Sequence, residues 1–283
     1  METSAVKIDS HQHFWRYNAE EYPWIQGELA HCQRDLLPED LIPLLAESGF
    51  LGSIAVQARQ ILEETDFLLD LANRNSSILG VVGWVPLVAN DVEKSIEMYA
   101  CHEKMVGFRH VIQDEPDDQF ILRKDFQAGV RVLERYDLCY DILIFEKHLV
   151  PTIAFVDQFP NMRLVLDHIA KPKIRVGTFD HEWAKNIREL AKRPHVTCKL
   201  SGMMTEVSGG PGSIEVLQPY FDTVLEAFGP DRLMFGSDWP VCLMRISHRD
   251  WVKTVENLIS SCSADEQAAI MGGTAQRVYL GQD

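Results

Sequence analysis

The sequence is short of basic residues: 27 Lys and Arg stand against 42 Asp and Glu, a formal charge of −15 over 283 residues. An acidic surface repels phosphate backbones and anionic lipid headgroups, so neither nucleic acid nor a membrane is an expected partner. No apolar run is long enough to cross a bilayer. The N-terminal METSAVKIDS lacks the basic start and apolar stretch of a signal peptide, which sets a cytoplasmic protein as the expectation. The six cysteines (Cys32, Cys101, Cys139, Cys198, Cys242 and Cys262) include no Cys-x-x-Cys pair. A thiolate metal site and a redox pair are therefore not signalled, and the cysteines read as reduced thiols. There is also no Gly-x-Gly-x-x-Gly after the first apolar run and no phosphate loop, which weighs against a doubly wound nucleotide-binding sheet.

What the chain does have is a repeat of short apolar runs, each followed by an amphipathic stretch. The runs begin near Val6, Gly52, Ile78, Met105, Leu138, Met162, Val196 and Arg232. Nearly continuous apolar character with β-branched residues suits strands buried on both faces of a parallel sheet. Helical spacing lies between them, as in Leu41, Leu44 and Leu45 with Gly49 at the expected helix end, Phe67, Leu68 and Leu71, Phe126, Val130 and Leu133, and Val216, Phe221 and Leu225. Eight strand–helix units in 283 residues, with no compositional break, predict one (β/α)₈ TIM barrel as a single domain spanning 1–283. Residues 15–40, rich in Trp, Tyr, Pro and Glu, are long for a first loop and are expected to cover the catalytic face.

Chemistry is concentrated at predicted strand ends. In IDSHQHF, His11 and His13 are two apart and share a face of the first strand. Such a pair can hold a divalent metal or donate hydrogen bonds to a carbonyl, although alone it is more often a packing or surface pair. His168 follows the sixth run (RLVLDHIAKP) and Asp238 the eighth (RLMFGSDWP). Singly, His168 could cap a strand and Asp238 a helix. Three strand ends of one barrel delivering His, His, His and Asp to one rim is the stronger reading.

IDSHQHFW, LDH, FGSDWP and the closing GTAQRVYL together resemble the amidohydrolase superfamily, in the branch that contains sugar-acid lactonases such as L-fuconolactone and L-rhamnonolactone hydrolases. The resemblance implies hydrolysis of a small-molecule sugar lactone with Asp238 as base and His11, His13 and His168 as carbonyl polarisers. One divalent metal, zinc, would be held by His11, His13, His168 and Asp238. The fifth run, LCYDILIFEKH, ends without the His that metal-dependent members carry, so the metal is expected to be dispensable. A metal-dependent decarboxylase, a 2-pyrone-4,6-dicarboxylate-type lactonase and a non-catalytic sugar-binding barrel are the alternatives.

Substrate contacts are assigned to Arg109, Lys199, Trp24, Gln57 and Trp84. Arg109 ends the fourth run and equally suits a rim salt bridge. Lys199 has an inward, apolar-flanked position that is costly unless paired or functional, and it is given to a substrate hydroxyl. Gln57 and Trp84 would floor the pocket, while Trp24 and Tyr22 either close over a sugar ring or pin the loop. Asp167 is expected to point opposite to His168 and Leu166, either supporting the site from behind or lying in the helix layer. His31, His102, His148, His181, His195 and His248 are read as surface groups, and the composition leaves a homo-oligomer open.

Overall fold

Eight parallel strands lie side by side in chain order in the computed structural model, which describes residues 6–282. They are β1 (Ile8–Gln12), β2 (Gly52–Val56), β3 (Ile78–Gly83), β4 (Met105–Val111), β5 (Cys139–Leu143), β6 (Leu164–Leu166), β7 (Val196–Lys199) and β8 (Leu233–Met234). β8 returns to β1 through Ser10 N–H donating to Phe235 O at 3.0 Å and Asp238 N–H donating to His11 O at 2.8 Å. A bridge between Gln12 and Trp239 completes the ring. The architecture is the expected single-domain (β/α)₈ barrel, and each strand falls within one of the eight apolar runs.

The helices between strands are α1 (Pro38–Glu47), α2 (Leu62–Arg74), α3 (Val92–Ala100), α4 (Lys124–Arg135), α5 (Leu149–Val156), α6 (His181–Leu190), α7 (Ile214–Phe228) and α8 (His248–Leu258). Their apolar stripes pack on the outward strand residues. Gly49, one residue past the C-cap of α1, takes φ +75°, which glycine adopts without penalty. Two short helices, α9 (Ala264–Ala268) and α10 (Thr274–Leu280), end the chain. α10 closes the bottom of the barrel, where Ala275, Val278 and Tyr279 join Ile8, Ile54, Val56, Val82, Cys139, Val165 and Met234 in a separate apolar cluster.

The long first loop is a packed element. Trp15 and Leu36 pair across its base as an antiparallel bridge, and Trp15, Tyr22, Ile25 and Cys32 are buried. Trp15 Nε1–H donates to Cys32 O at 3.2 Å and Arg34 O at 3.1 Å. No helix among the described residues is long and apolar enough to cross a membrane.

Candidate active site

The barrel interior is layered. Above the apolar floor sits a belt of buried charge, and above that a cluster of imidazoles around one carboxylate. The pairing of β1 with β2 shifts register between Asp9 and Gln12. An irregularity of that kind re-aims side chains, and here Ile8 joins the floor while His11 and His13 share the interior above it. Asp238 follows β8 in a left-handed conformation, φ 57°. His168 follows β6 at φ 53°. The four expected residues do converge. His11 Nε2 is 3.2 Å from His13 Nε2, Asp238 Oδ1 is 3.3 Å from His13 Nε2 and 3.8 Å from His11 Nε2, and the His11 and His168 rings are 4.5 Å apart.

Each imidazole is oriented from behind, as ligand or catalytic histidines commonly are. His13 Nδ1 is 2.8 Å from Val56 O, and its Nε2 stands 3.3 Å from Asp238 Oδ1. His168 Nδ1 meets Ser201 Oγ at 2.8 Å, which turns its Nε2 inward. His11 Nδ1 has two partners, the Lys199 ammonium at 3.1 Å and Asp167 Oδ1 at 3.4 Å. With Lys199 donating, His11 offers Nε2–H to the site, which suits a carbonyl oxygen. With Nδ1–H given to Asp167, His11 offers a lone pair, which suits a cation. Burial is the largest influence on both His11 and His168 and pushes both down, His168 to about 4, so both are neutral at pH 7. Burial works to raise Asp238, but His168, the His13 hydrogen bond and His11 outweigh it and hold the carboxylate well below its ordinary range. The site therefore sets an ionised carboxylate beside two neutral imidazoles, His11 and His168.

The donor set fits a divalent metal. Nitrogens of His11 and His168 and an oxygen of Asp238 lie within 4.8 Å of one another, with His13 Nε2 close by. Neutral imidazole nitrogens and a carboxylate are the ligands zinc accepts.

The belt beneath was only partly anticipated. Lys199 was expected to meet a substrate hydroxyl. Its side chain is inaccessible instead, held under His11 by Asp141 Oδ2 at 2.6 Å and Asp167 Oδ1 at 3.0 Å. Asp167 was expected to point opposite to His168. It lies inside the barrel and also takes Arg109 Nη1 at 3.0 Å. The reason is that Val165 faces the barrel floor, so alternation carries Asp167 inward with it, while the left-handed turn at His168 takes that residue out of the alternation and brings its ring to the same interior. Arg109 is held from several sides: besides Asp167 it donates to Gln57 O, its Nη1 is 3.3 Å from His11 Nε2, and Gln57 Nε2–H donates back to Arg109 O at 3.3 Å, with Arg109 Nε left unpartnered among the described residues. Gln57 is thus buried as a clamp rather than lining open space. Tyr279 reaches up from α10 to donate to Asp141 at 2.8 Å. Burial, opposed by Lys199, pushes the Asp141 carboxyl up to about 6.

Other groups sit nearer solvent. Trp84 Nε1–H donates to His110 Nδ1 at 3.4 Å, and His110 Nε2–H donates to Glu115 at 2.6 Å. Trp24 is 41 % exposed and packs edge-on against Trp15. His148 and His248, read as surface groups, are both buried. His148 accepts the Phe145 N–H at 3.1 Å ahead of α5, and His248 stands 3.6 Å from Asp9. Neither role has a spacing signal in the sequence.

Gly202 supports His168 directly. It holds φ +70°, and a Cβ there would lie 2.8 Å from His168 Nδ1. Gly202→Ala is expected to cost about 1–2 kcal/mol from the backbone alone, read by urea unfolding. A displaced His168 should also lower kcat, by up to roughly 10²-fold. Unchanged kcat in the folded variant would separate His168 placement from catalysis.

An ionised carboxylate surrounded by three imidazoles at the C-terminal ends of barrel strands is the equipment of a barrel hydrolase acting at a carbonyl carbon. The amidohydrolase family model matches residues 8–280, and the chain belongs to that family. It is 44 % identical to an L-fucono-1,5-lactonase of Burkholderia multivorans over 97 % of this chain and 96 % of that protein. A second L-fucono-1,5-lactonase, from Burkholderia ambifaria, is 37 % identical over 96 % and 95 % of the two chains. The crystal structure of a Burkholderia multivorans amidohydrolase with bound zinc, 44 % identical, superposes with a TM-score of 0.93 over 98 % of this chain and 99 % of that one.

Proposed function

We propose that the protein hydrolyses a sugar-acid lactone, L-fucono-1,5-lactone or a closely similar aldonolactone, to the free acid. The observation that carries the chemistry is Asp238, held ionised beside the neutral imidazoles of His11 and His168, with His13 Nε2 3.3 Å away. The substrate class is supported by the full-length likeness to two L-fucono-1,5-lactonases.

In this reading Asp238 removes a proton from water, whose oxygen bonds to the lactone carbonyl carbon. His11, presenting Nε2–H while Lys199 donates to its Nδ1, hydrogen-bonds the developing oxyanion. The C–O bond to the ring oxygen then breaks, and protonated Asp238 returns its proton to that oxygen. His13 and His168 hold Asp238 in line and exclude water from its flanks. A divalent metal held by His11, His13, His168 and Asp238 would supply additional polarisation of the carbonyl. A cyclic ester asks less electrophilic help than an amide. Arg109 is tied to Asp167 and Gln57, so it is not free for the carboxylates of a pyrone dicarboxylate, and a neutral polyhydroxylated ring fits better. Trp24 and Trp84 are the wall and lid candidates for that ring, with residues 15–37 as the loop that carries Trp24. Six unpaired cysteines accord with a reducing, cytoplasmic setting.

Screening aldonolactones with a pH indicator, before and after chelation, tests the reading. Acid release from L-fucono-1,5-lactone is expected, and turnover should persist after chelation because His11 can polarise the carbonyl unaided. Complete loss on chelation would transfer that role to the metal, and no release from any lactone would overturn the proposal.

A further inference from the structure

The segment that delivers His168 does more than place one imidazole. His168, Ile169, Ala170 and Lys171 hold φ of 53°, 48°, 62° and 46°, four consecutive left-handed residues without a glycine among them. Left-handed backbone is disfavoured for every residue with a Cβ, and such strain persists at functional sites where the surroundings over-determine it. Here Ile169 and Ala170 are buried and Trp183 Nε1–H donates to Ile169 O at 2.8 Å. The Lys171 N–H donates to His168 O at 2.8 Å, closing an i to i+3 turn. In turns of that pitch, side chains three apart stand over one another. His168 points into the catalytic cluster, so Lys171 rises from the same side of the turn.

The Lys171 ammonium is 5.5 Å from the centre of the Phe145 ring, just beyond the end of β5. No carboxylate lies within 4.0 Å of it among the described residues, whereas Lys173, two residues on, is paired with Glu146 at 2.5 Å. Glu206, on the loop after β7, is a second uncommitted charge. It is half-buried, with no hydrogen bond or ion pair to its carboxyl among the described residues. Burial pushes that carboxyl up, Lys171 draws it back, and Asp238 adds a smaller push. The turn after β6 and the loop after β7 thus bring one cation and one carboxyl, neither in an ion pair among the described residues, to the barrel face that carries the catalytic cluster.

We infer that Lys171 is a specificity-determining residue, its ammonium donating to a ring hydroxyl of the substrate while Glu206 accepts from another. The inference rests on the lactonase reading and deepens it. A lone cation balanced by a carboxyl matches a neutral polyol ring, whereas a dicarboxylate would meet the charges of both Glu206 and Asp238. The strain of the turn is retained because it presents a catalytic and a recognition side chain from one short segment.

The test compares wild type, Lys171→Met, Lys171→Arg and Glu206→Gln on L-fucono-1,5-lactone and on δ-valerolactone, a ring without hydroxyls. Lys171→Met should raise KM for the hydroxylated lactone roughly 10- to 100-fold, the loss expected for a hydrogen bond to a charged group, with kcat nearly unchanged. Lys171→Arg should recover part of that, and Glu206→Gln should raise the same KM by less. The KM of δ-valerolactone, or its Ki as a competitor where turnover is slow, should be the same in all four proteins. Equal losses on both rings, or no change on the hydroxylated one, would overturn the inference. If wild type opens no aldonolactone of the screened panel, the lactonase reading itself fails and this inference falls with it. Activity in wild type with an unaffected Lys171→Met variant removes the inference alone.

Discussion

Asp238→Asn is expected to lower kcat/KM for lactone opening roughly 10²- to 10⁴-fold, the usual contribution of a positioned general base, while ligand binding is retained. The substitution is unusually clean at this position. Asp238 sits at φ 57°, and asparagine is, with aspartate, among the residues that tolerate left-handed backbone best, so the turn after β8 should survive. Shape is kept and charge is lost. The Asp238 N–H bond to His11 O at 2.8 Å does not involve the side chain and holds the strand end in place. His11 and His168 remain neutral, because burial is the chief cause of their depressed values. Calorimetric titration with the lactone in the silent variant should return a Kd near the wild-type KM. Unchanged turnover would sink the mechanism, and turnover lost together with binding would make Asp238 a substrate-binding group instead of the base.

The four rim residues were legible because three of them stand at strand ends where the apolar run stops, and because a barrel brings those ends to one face. The belt beneath them was not. Lys199 could be seen to point inward from its apolar flanks, but its partners come from strands β5 and β6, and nothing in CYDIL or LVLD marks Asp141 or Asp167 as facing it. Asp167 was set opposite His168 because both were read on one alternation, whereas Asp167 follows Val165 inward and His168 alone leaves the alternation, in a turn whose left-handed backbone no glycine announces. Tyr279 belongs to a C-terminal motif whose resemblance to a family was plain. That its hydroxyl reaches Asp141 from below depends on α10 closing the barrel floor, which is a tertiary fact. Arg109 was open between substrate contact and salt bridge, and its two-sided clamp with Gln57 follows from β2 and β4 meeting across the interior above the floor. His148 and His248 were misplaced because polar neighbours in sequence say little about which side of a helix start is covered.

The belt makes the second large prediction. Lys199 is the cation between Asp141 and Asp167, all three inaccessible. Removing one member of a buried charge network leaves the others uncompensated and typically costs about 3–5 kcal/mol. Lys199→Met should therefore lower unfolding stability by that order in denaturant titration. Asp141→Asn should also destabilise, and the double variant should lose less than the two single losses added, because neutralising both removes the mismatch. Stability alone does not distinguish scaffolding from catalysis, and the pH profile does. Lys199 is one of the charges that lower His11, acting against Asp167, which raises it. Without the ammonium, His11 becomes easier to protonate, and Asp167 is left as its sole partner at Nδ1. Protonated His11 keeps Asp238 paired and weakens it as a base. The acid limb of kcat/KM should accordingly move to higher pH in Lys199→Met, and the plateau near pH 8 should stay below that of wild type, because His11 with Nδ1–H given to Asp167 no longer offers Nε2–H to the oxyanion. A variant that is less stable but keeps the wild-type pH profile would confine Lys199 to holding the barrel together. A profile displaced toward acid would contradict the direction of its field on His11.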